Sequence, residues 1–199
     1  VFESMNDAVD AAVEAQREYL NRSMHDRACY VQAIRDVVLD QENLEYISRL
    51  AVEETGMGGY EYKLIKNRLA AVKTPGIEDL TTDAMSGDDG LTLVEYSPFG
   101  VIGSITPTTN PTETIINNTI SMIAGGNTVV FNVHPRAKRV SADCLQALNT
   151  AIIEAGGPAN LITMTREPTM ENVDKMAANP KIRLMAGTGG MGMVNALLR

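Results

Sequence analysis

Four kinds of residue in this 199-residue chain could do chemistry, and each sits in a defined local pattern. Gly187-Thr188-Gly189-Gly190-Met191-Gly192 has the spacing G-x-G-x-x-G, with an apolar run before it and a helical pattern after it. In that context backbone N–H groups at a turn can meet a phosphate. It would follow a fourth strand rather than a first, and the sequence ends at Arg199, before the position about twenty residues later where a ribose-binding acid is expected. A plain glycine-rich turn explains the pattern equally well. Asn110 closes the polar stretch Thr106-Pro107-Thr108-Thr109-Asn110-Pro111. Its carboxamide could donate to a carbonyl oxygen that gains charge during a reaction. It is equally a helix cap, with Pro111 in the first turn and Glu113 completing an N-cap-x-x-Glu box. The thiols are Cys29 and Cys144, and both fall in helical patterns. Cys144 shares an apolar stripe with Val140 and Leu148, where cysteine behaves as a small hydrophobe and not as a nucleophile. Cys29 has no better claim. His25 lies on a helix without partners, whereas His134 follows an apolar strand and precedes Pro135, a place for polar contact. No Cys/His spacing suits a metal.

These residues need a scaffold, and the pattern from Glu95 to Lys138 supplies one. Val101–Ile105 is a short apolar run that suits a strand buried on both faces. A helix follows with Ile116, Ile120 and Ile123 at helical spacing, stopping at Gly125-Gly126, and then a second apolar strand, Thr128–Phe131. The unit repeats. A helix through Ala155 carries Val140, Cys144, Leu148 and Ile152, Asn160–Met164 forms a third strand, Thr169–Ala178 a helix and Lys181–Ala186 a fourth strand. Alternation of this kind predicts a Rossmann-type, doubly wound parallel α/β sheet over residues 91–199. Ligands of such sheets lie beyond the carboxyl ends of the strands, where Thr106–Asn110, Asn132–Arg136, Thr165–Pro168 and Gly187–Gly192 fall.

Residues 1–90 read as a helical segment packing on that sheet. Ala8, Val9, Ala12, Val13 and Ala15 form one amphipathic face, and Ser23 with Asp26 starts a second helix carrying Tyr30, Ile34, Val37 and Val38. Leu44, Ile47, Leu50 and Ala51 mark a third helix ending near Thr55-Gly56. Tyr60–Lys73 is a fourth, whose Tyr62, Ile65, Leu69 and Val72 are expected to face inward. Thr81–Gly90 is acidic and reads as a surface loop, and Leu91–Tyr96 as a half-exposed strand. Met122, Met164, Met176 and Met185 fall on core faces.

A hydrophobic content of 44% allows a sizeable core, and the net charge of −8 without a basic stripe argues against nucleic acid. No apolar run approaches the length of a membrane span, and the cysteine usage suits a reduced, cytoplasmic setting. Opening on Val1-Phe2-Glu3 and stopping at Leu198-Arg199 within a helical pattern, both ends read as those of a fragment. Met193, Val194 and Leu197 of that last helix are then expected to lack their normal cover.

The segments SPFGVIGSITPTTNPTETIINN, GNTVVFNVHPRAK, TGG, ETGMGGYEYKLIKN and TPGIEDL resemble the N-terminal portion of the coenzyme-A-acylating aldehyde dehydrogenases. These are the propionaldehyde and acetaldehyde enzymes of bacterial microcompartments. The resemblance implies an NAD-dependent oxidoreductase that turns a small aldehyde and coenzyme A into acyl-coenzyme A through a cysteine thioester. Its nucleophile would lie beyond this chain, in a catalytic domain that is absent, so the chain alone is expected to be inactive. It implies NAD contacts at Ile105, Thr106, Pro107, Thr108, His134, Pro135, Thr188, Gly189 and Gly190, and a catalytic hydrogen bond from Asn110. Hydrolytic relatives place their oxyanion Asn two residues after the loop Pro, which is Thr109 here, so the role lies between Thr109 and Asn110. Broader relatives carry a ribose-binding lysine just after the second strand, where this chain reads Asn132-Val133-His134. A homo-oligomer, with possible shell association in a microcompartment lumen, is implied for the full-length protein. Two other readings stand: a non-catalytic nucleotide-binding or assembly module, and a conventional Rossmann dehydrogenase using Gly187–Gly192 as its main phosphate loop.

Overall fold

The computed structural model describes residues 1–197. Four helices come first: α1 (Met5–Tyr19), α2 (Met24–Leu39), α3 (Gln41–Thr55) and α4 (Tyr60–Lys73). Their starts follow from capping chemistry, which supplies partners for the first unpaired N–H groups. Ser4 Oγ accepts the Asp7 N–H, Ser23 and Asp26 form a reciprocal capping box, and Asp40 accepts the Asn43 N–H. Gly56 ends α3 at φ +66, a left-handed conformation that a side chain would strain.

A hairpin of β1 (Asp83–Gly87) and β2 (Gly90–Val94) follows, then the alternating part: β3 (Val101–Ile105), α5 (Pro111–Ala124), β4 (Thr128–Asn132), α6 (Lys138–Glu154), β5 (Ile162–Met164), α7 (Met170–Ala178), β6 (Ile182–Gly187) and α8 (Met191–Leu197). The four strands β5-β4-β3-β6 form one parallel sheet in that order. Period-two alternation divides its side chains between two helical layers. Val129 and Phe131 join the larger core with α2, α5 and α6, while Val130 and Val101 join Met5, Ala8, Val9, Ala12 and Met176 on the other face. The expected doubly wound architecture is therefore present.

Small residues let α1 lie close on the sheet. Thr163 Oγ1 donates to the Ala8 carbonyl at 3.1 Å and Thr128 Oγ1 to that of Ala12 at 3.2 Å. Gln16 accepts the Thr128 N–H and donates to the Gly126 carbonyl, fixing where β4 begins. In β3, Gly103 is required by packing, since a Cβ there would fall 2.5 Å from Met185 Sδ and 2.6 Å from Met176 Sδ. Met122 and Met185 are partly buried and Met164 and Met176 fully so, as core packing requires.

Three expectations are corrected. Thr81–Gly90 is not all loop, because Asp83–Gly87 pairs antiparallel with Gly90–Val94 across the two-residue Asp88-Asp89 turn. Backbone pairing there overrides a composition poor in strand formers. Both hairpin strands are exposed along their whole length, so Leu91–Val94 has no buried face. The face of α4 is also reversed. Tyr62 and Ile65 are 69% and 62% exposed, Leu69 and Val72 are exposed too, and Lys63, Asn67 and Ala71 point inward. On α8, Met193, Val194 and Leu197 are half-buried, and Leu197 packs over Gly187.

Candidate functional site

Strand order reverses beside β3. The chain leaves β3 through α5 and α6 to β4 and β5 on one side, then returns through α7 to β6 on the other. At such a switch point the loops diverge to opposite faces and open a crevice beyond the strand ends. A cleft of about 720 Å³ occupies that position. Its lining comes from Ile105–Asn110 after β3, Asn132–Pro135 after β4, Pro168–Met170 and Val173 at α7, Thr188–Gly190 and Met193 after β6, and Met57. Every residue singled out from the sequence as a contact, Ile105, Thr106, Pro107, Thr108, Asn110, His134, Pro135, Thr188, Gly189 and Gly190, lines this one cleft. Main-chain bonds tie the loops together, with Thr188 N–H donating to the Ile105 carbonyl at 3.0 Å and Thr106 N–H to that of Asn132 at 3.4 Å.

The cleft wall is neutral among the described residues, with neither a carboxylate nor a lysine or arginine in its lining. Met57, Val133, Pro135, Pro168 and Val173 make apolar surface, and Gly189 and Gly190 leave the backbone bare. Of the buried side-chain oxygens without a partner among the described residues, two belong to this lining: Thr106 Oγ1 and Asn132 Oδ1, on residues 2% and 4% exposed. Unpaired buried acceptors are costly and uncommon, which marks these as positions for a ligand's donors. Sequence reasoning left Asn132 out of the contact set. The signal was a polar residue closing an otherwise apolar strand.

His134 Nδ1 accepts the Arg136 N–H at 3.1 Å and so starts the turn into α6. That bond leaves the other ring nitrogen to carry the proton. Burial, with the Arg136 guanidinium second, holds its pKa below the ordinary histidine value, favouring the neutral ring.

Asn110 does not cap α5, and the expected box with Glu113 is absent. Charged partners take both side chains instead. Lys66 Nζ donates to Asn110 Oδ1 at 3.0 Å. The Glu113 carboxylate is buried and pairs with Lys63 Nζ at 3.0 Å. Lys63 Nζ also donates to the Thr109 carbonyl at 2.7 Å, so α4 pins the loop that carries Asn110. Thr112, Asn67 and Ser48 extend the network, with bonds of 2.8 Å from Thr112 to Asn67 and 3.0 Å from Asn67 to Ser48. With Oδ1 engaged, Asn110 keeps its amide hydrogens for a ligand.

Neither thiol reaches the cleft lining. Cys144 is buried in the α6 stripe, where desolvation pushes its pKa up to about 12. Cys29 is exposed on α2, with its sulfur 3.8 Å from His25 Nε2. Among the described residues no group of three or more His, Cys, Asp or Glu is arranged for a metal, and no helix is long and apolar enough to cross a membrane.

The aldehyde dehydrogenase family pattern matches residues 2–199. The chain belongs to the aldehyde dehydrogenase family. Within it, an acetylating acetaldehyde dehydrogenase of Bilophila wadsworthia is 48% identical over 98% of this chain and 39% of its own length. Rhodopseudomonas palustris propionaldehyde dehydrogenase, solved with bound propionyl-coenzyme A, is 61% identical and superposes with a TM-score of 0.98 over 100% of this chain and 44% of that one. The propionaldehyde dehydrogenase from the fucose-utilisation microcompartment of Clostridium phytofermentans is 52% identical, with a TM-score of 0.96 over 100% of this chain and 45% of that one. The chain thus spans about two fifths of the length of the curated relatives it matches. The G-x-G-x-x-G stretch of this family member begins at the last residue of β6, an edge strand among the described residues, and runs through a turn into the seven-residue α8.

Proposed function

We propose that this chain forms the dinucleotide-binding part of a coenzyme-A-acylating aldehyde dehydrogenase. The observation that carries the reading is the convergence of the loops after β3, β4 and β6 on one neutral cleft at the switch point. The cleft suits NAD. Apolar walls accept an adenine, bare backbone at Gly189 and Gly190 allows a pyrophosphate close approach, and Thr106 and Asn132 offer buried polar groups to a ribose. When bound, NAD supplies the acceptor for a hydride leaving the aldehyde carbon. Coenzyme A enters as the thiol that carries the acyl group away, in keeping with the propionyl-coenzyme A bound by the Rhodopseudomonas relative.

In this reading Asn110 donates its carboxamide N–H to the carbonyl oxygen of the substrate, held in place through Oδ1 by Lys66. The nucleophilic thiol is neither Cys29 nor Cys144, since neither lines the cleft. Residues 91–199 form the cofactor-binding unit, with the helices of residues 1–90 packed on it. The whole protein acts on a small aldehyde as a cytoplasmic homo-oligomer, within a microcompartment as for the Clostridium relative.

Calorimetric titration with NAD tests the assignment, using wild type and Gly189→Val. A Cβ at Gly189 would meet the mobile end of Met193 at 2.7 Å, so the variant folds while its side chain crowds the cleft. The expected loss of affinity is about tenfold or more, equivalent to at least about 1.4 kcal/mol. Unchanged NAD affinity in the folded variant, or no NAD binding to the wild type, overturns the reading.

A further inference from the structure

The backbone on both sides of the Asn110 side chain is held in place. The Thr109 carbonyl accepts from Lys63 Nζ at 2.7 Å, and the Asn110 carbonyl accepts from the Thr114 N–H at 3.2 Å and from Thr114 Oγ1 at 2.6 Å. The carboxamide is less constrained, because the last torsion of an asparagine side chain has broad, roughly two-fold wells. Its two ends differ in kind, one presenting lone pairs and the other N–H groups. Turned the wrong way, it sets an acceptor against any oxygen that gathers negative charge. Its partner among the described residues is Lys66 Nζ, 3.0 Å from Oδ1. An ammonium can only donate, so it binds the oxygen end of a carboxamide and not the nitrogen end. Asn110 lines both the dinucleotide cleft and a second hollow of about 500 Å³ between α4 and α5, whereas Lys66 lines only the second. The ammonium thus approaches the carboxamide from the side away from the cleft.

We propose that Lys66 is a positioning residue for the reaction: it selects the carboxamide orientation in which Asn110 offers N–H groups to the substrate's carbonyl oxygen, and its charge strengthens that donor. This rests on the reading of Asn110 above and adds the residue through which Asn110 acts. A bond accepted from a cation draws electron density toward Oδ1 and leaves the Nδ2 hydrogens more polar. Lys66 touches no reacting atom, so its effect falls on the barrier and not on cofactor binding. It also differs from Lys63, one turn earlier on α4. Lys63 is buried on Glu113 and a backbone carbonyl, whereas Lys66 is exposed and its variants keep the fold.

The test is the single-turnover rate of NADH formation from propionaldehyde in the complete enzyme carrying this chain, with the NAD dissociation constant measured alongside. Lys66→Met should slow the step about tenfold at saturating aldehyde while the NAD dissociation constant and the half-saturating aldehyde concentration stay within about twofold. Lys66→Arg, which keeps a charged group that only donates, should recover the rate to within about threefold, with the neutral Lys66→Gln between the two. Asn110→Ala should slow the step about a hundredfold, and adding Lys66→Met to it should change the rate by less than about twofold, because the group being oriented is gone. A wild-type rate in Lys66→Met, or an equal loss from Lys66→Met with and without Asn110, overturns the role of Lys66 and leaves that of Asn110 standing. A wild-type rate in Asn110→Ala removes both.

Discussion

Helices α4 and α6 carry the same kind of sequence and use it in opposite ways. Each has four apolar residues at helical spacing: Tyr62, Ile65, Leu69 and Val72 on α4, and Val140, Cys144, Leu148 and Ile152 on α6. The α6 stripe is buried, Cys144, Leu148 and Ile152 in the core shared with the sheet and α2, and Val140 beside Leu50 and Ala51 of α3. The α4 stripe faces out, and the helix turns Lys63, Asn67 and Ala71 toward α3 and α5. Periodicity therefore identifies a helix and divides its faces, but the face that enters the core is chosen by what the neighbours need. α6 crosses between two strands and must cover apolar sheet. α4 meets the buried Glu113 and the carbonyl of Thr109, which need a cation and donors.

The largest effect should come from removing that cation. Lys63→Met strands the Glu113 carboxylate in a buried setting and should cost about 3–5 kcal/mol in urea unfolding. Lys63→Met combined with Glu113→Leu should recover much of it, since the stranded charge is then gone. A single-variant cost under about 1 kcal/mol would show that the pair is not what holds α4 in this orientation.

Next comes a direct contrast of the stripes. Leu148→Ala on α6 should cost about 2–5 kcal/mol by cavity formation, and Leu69→Ala on α4 should stay within about 0.5 kcal/mol. Comparable costs at both positions would mean that the α4 stripe is covered in solution.

A thiol reagent sharpens the same comparison within the buried stripe. Cys29 should react promptly in the folded chain, while Cys144, buried and with its pKa pushed to about 12, should react only after unfolding. Two thiols counted under native conditions would contradict the burial of α6.

The smallest effect lies in the turn leading into α6. His134 has a pKa below its ordinary value of 6.5, so folding favours its neutral form. A depressed folded pKa contributes stability that is present above 6.5 and lost as pH falls through the folded value. Stability measured from about pH 7 down to pH 5 should accordingly decline less steeply in His134→Gln than in the wild type. Parallel pH profiles would exclude this contribution.

Much of the architecture was legible because local chemistry and the global fold agree. Buried parallel strands read as short apolar runs, as at Val101–Ile105 and Thr128–Phe131, and Ser23 with Asp26 announced its helix start. The hairpin was half legible. Asp83–Gly87 has no intrinsic preference for a strand, and it becomes one only when Gly90–Val94 lies alongside to accept its hydrogen bonds.

The candidate site divides along the same line. Chain order and apolar spacing alone specify which loops lie at the carboxyl ends of the strands, because alternating parallel units leave no other place for them. That is why Ile105–Thr108, His134–Pro135 and Thr188–Gly190 could be grouped before any coordinates. The partners of side chains within those loops depend on groups distant in sequence. Asn110 was free to cap α5 until Lys66, 44 positions away, took its oxygen, and Glu113 was free to complete the box until Lys63, 50 positions away, paired with it. Short-range hydrogen bonds compete with long-range charged ones, and burial tips the balance toward the charge, since an unpaired buried carboxylate costs more than an unmade cap. Periodicity follows from the geometry of one element, whereas the choice of face and partner belongs to the packed whole.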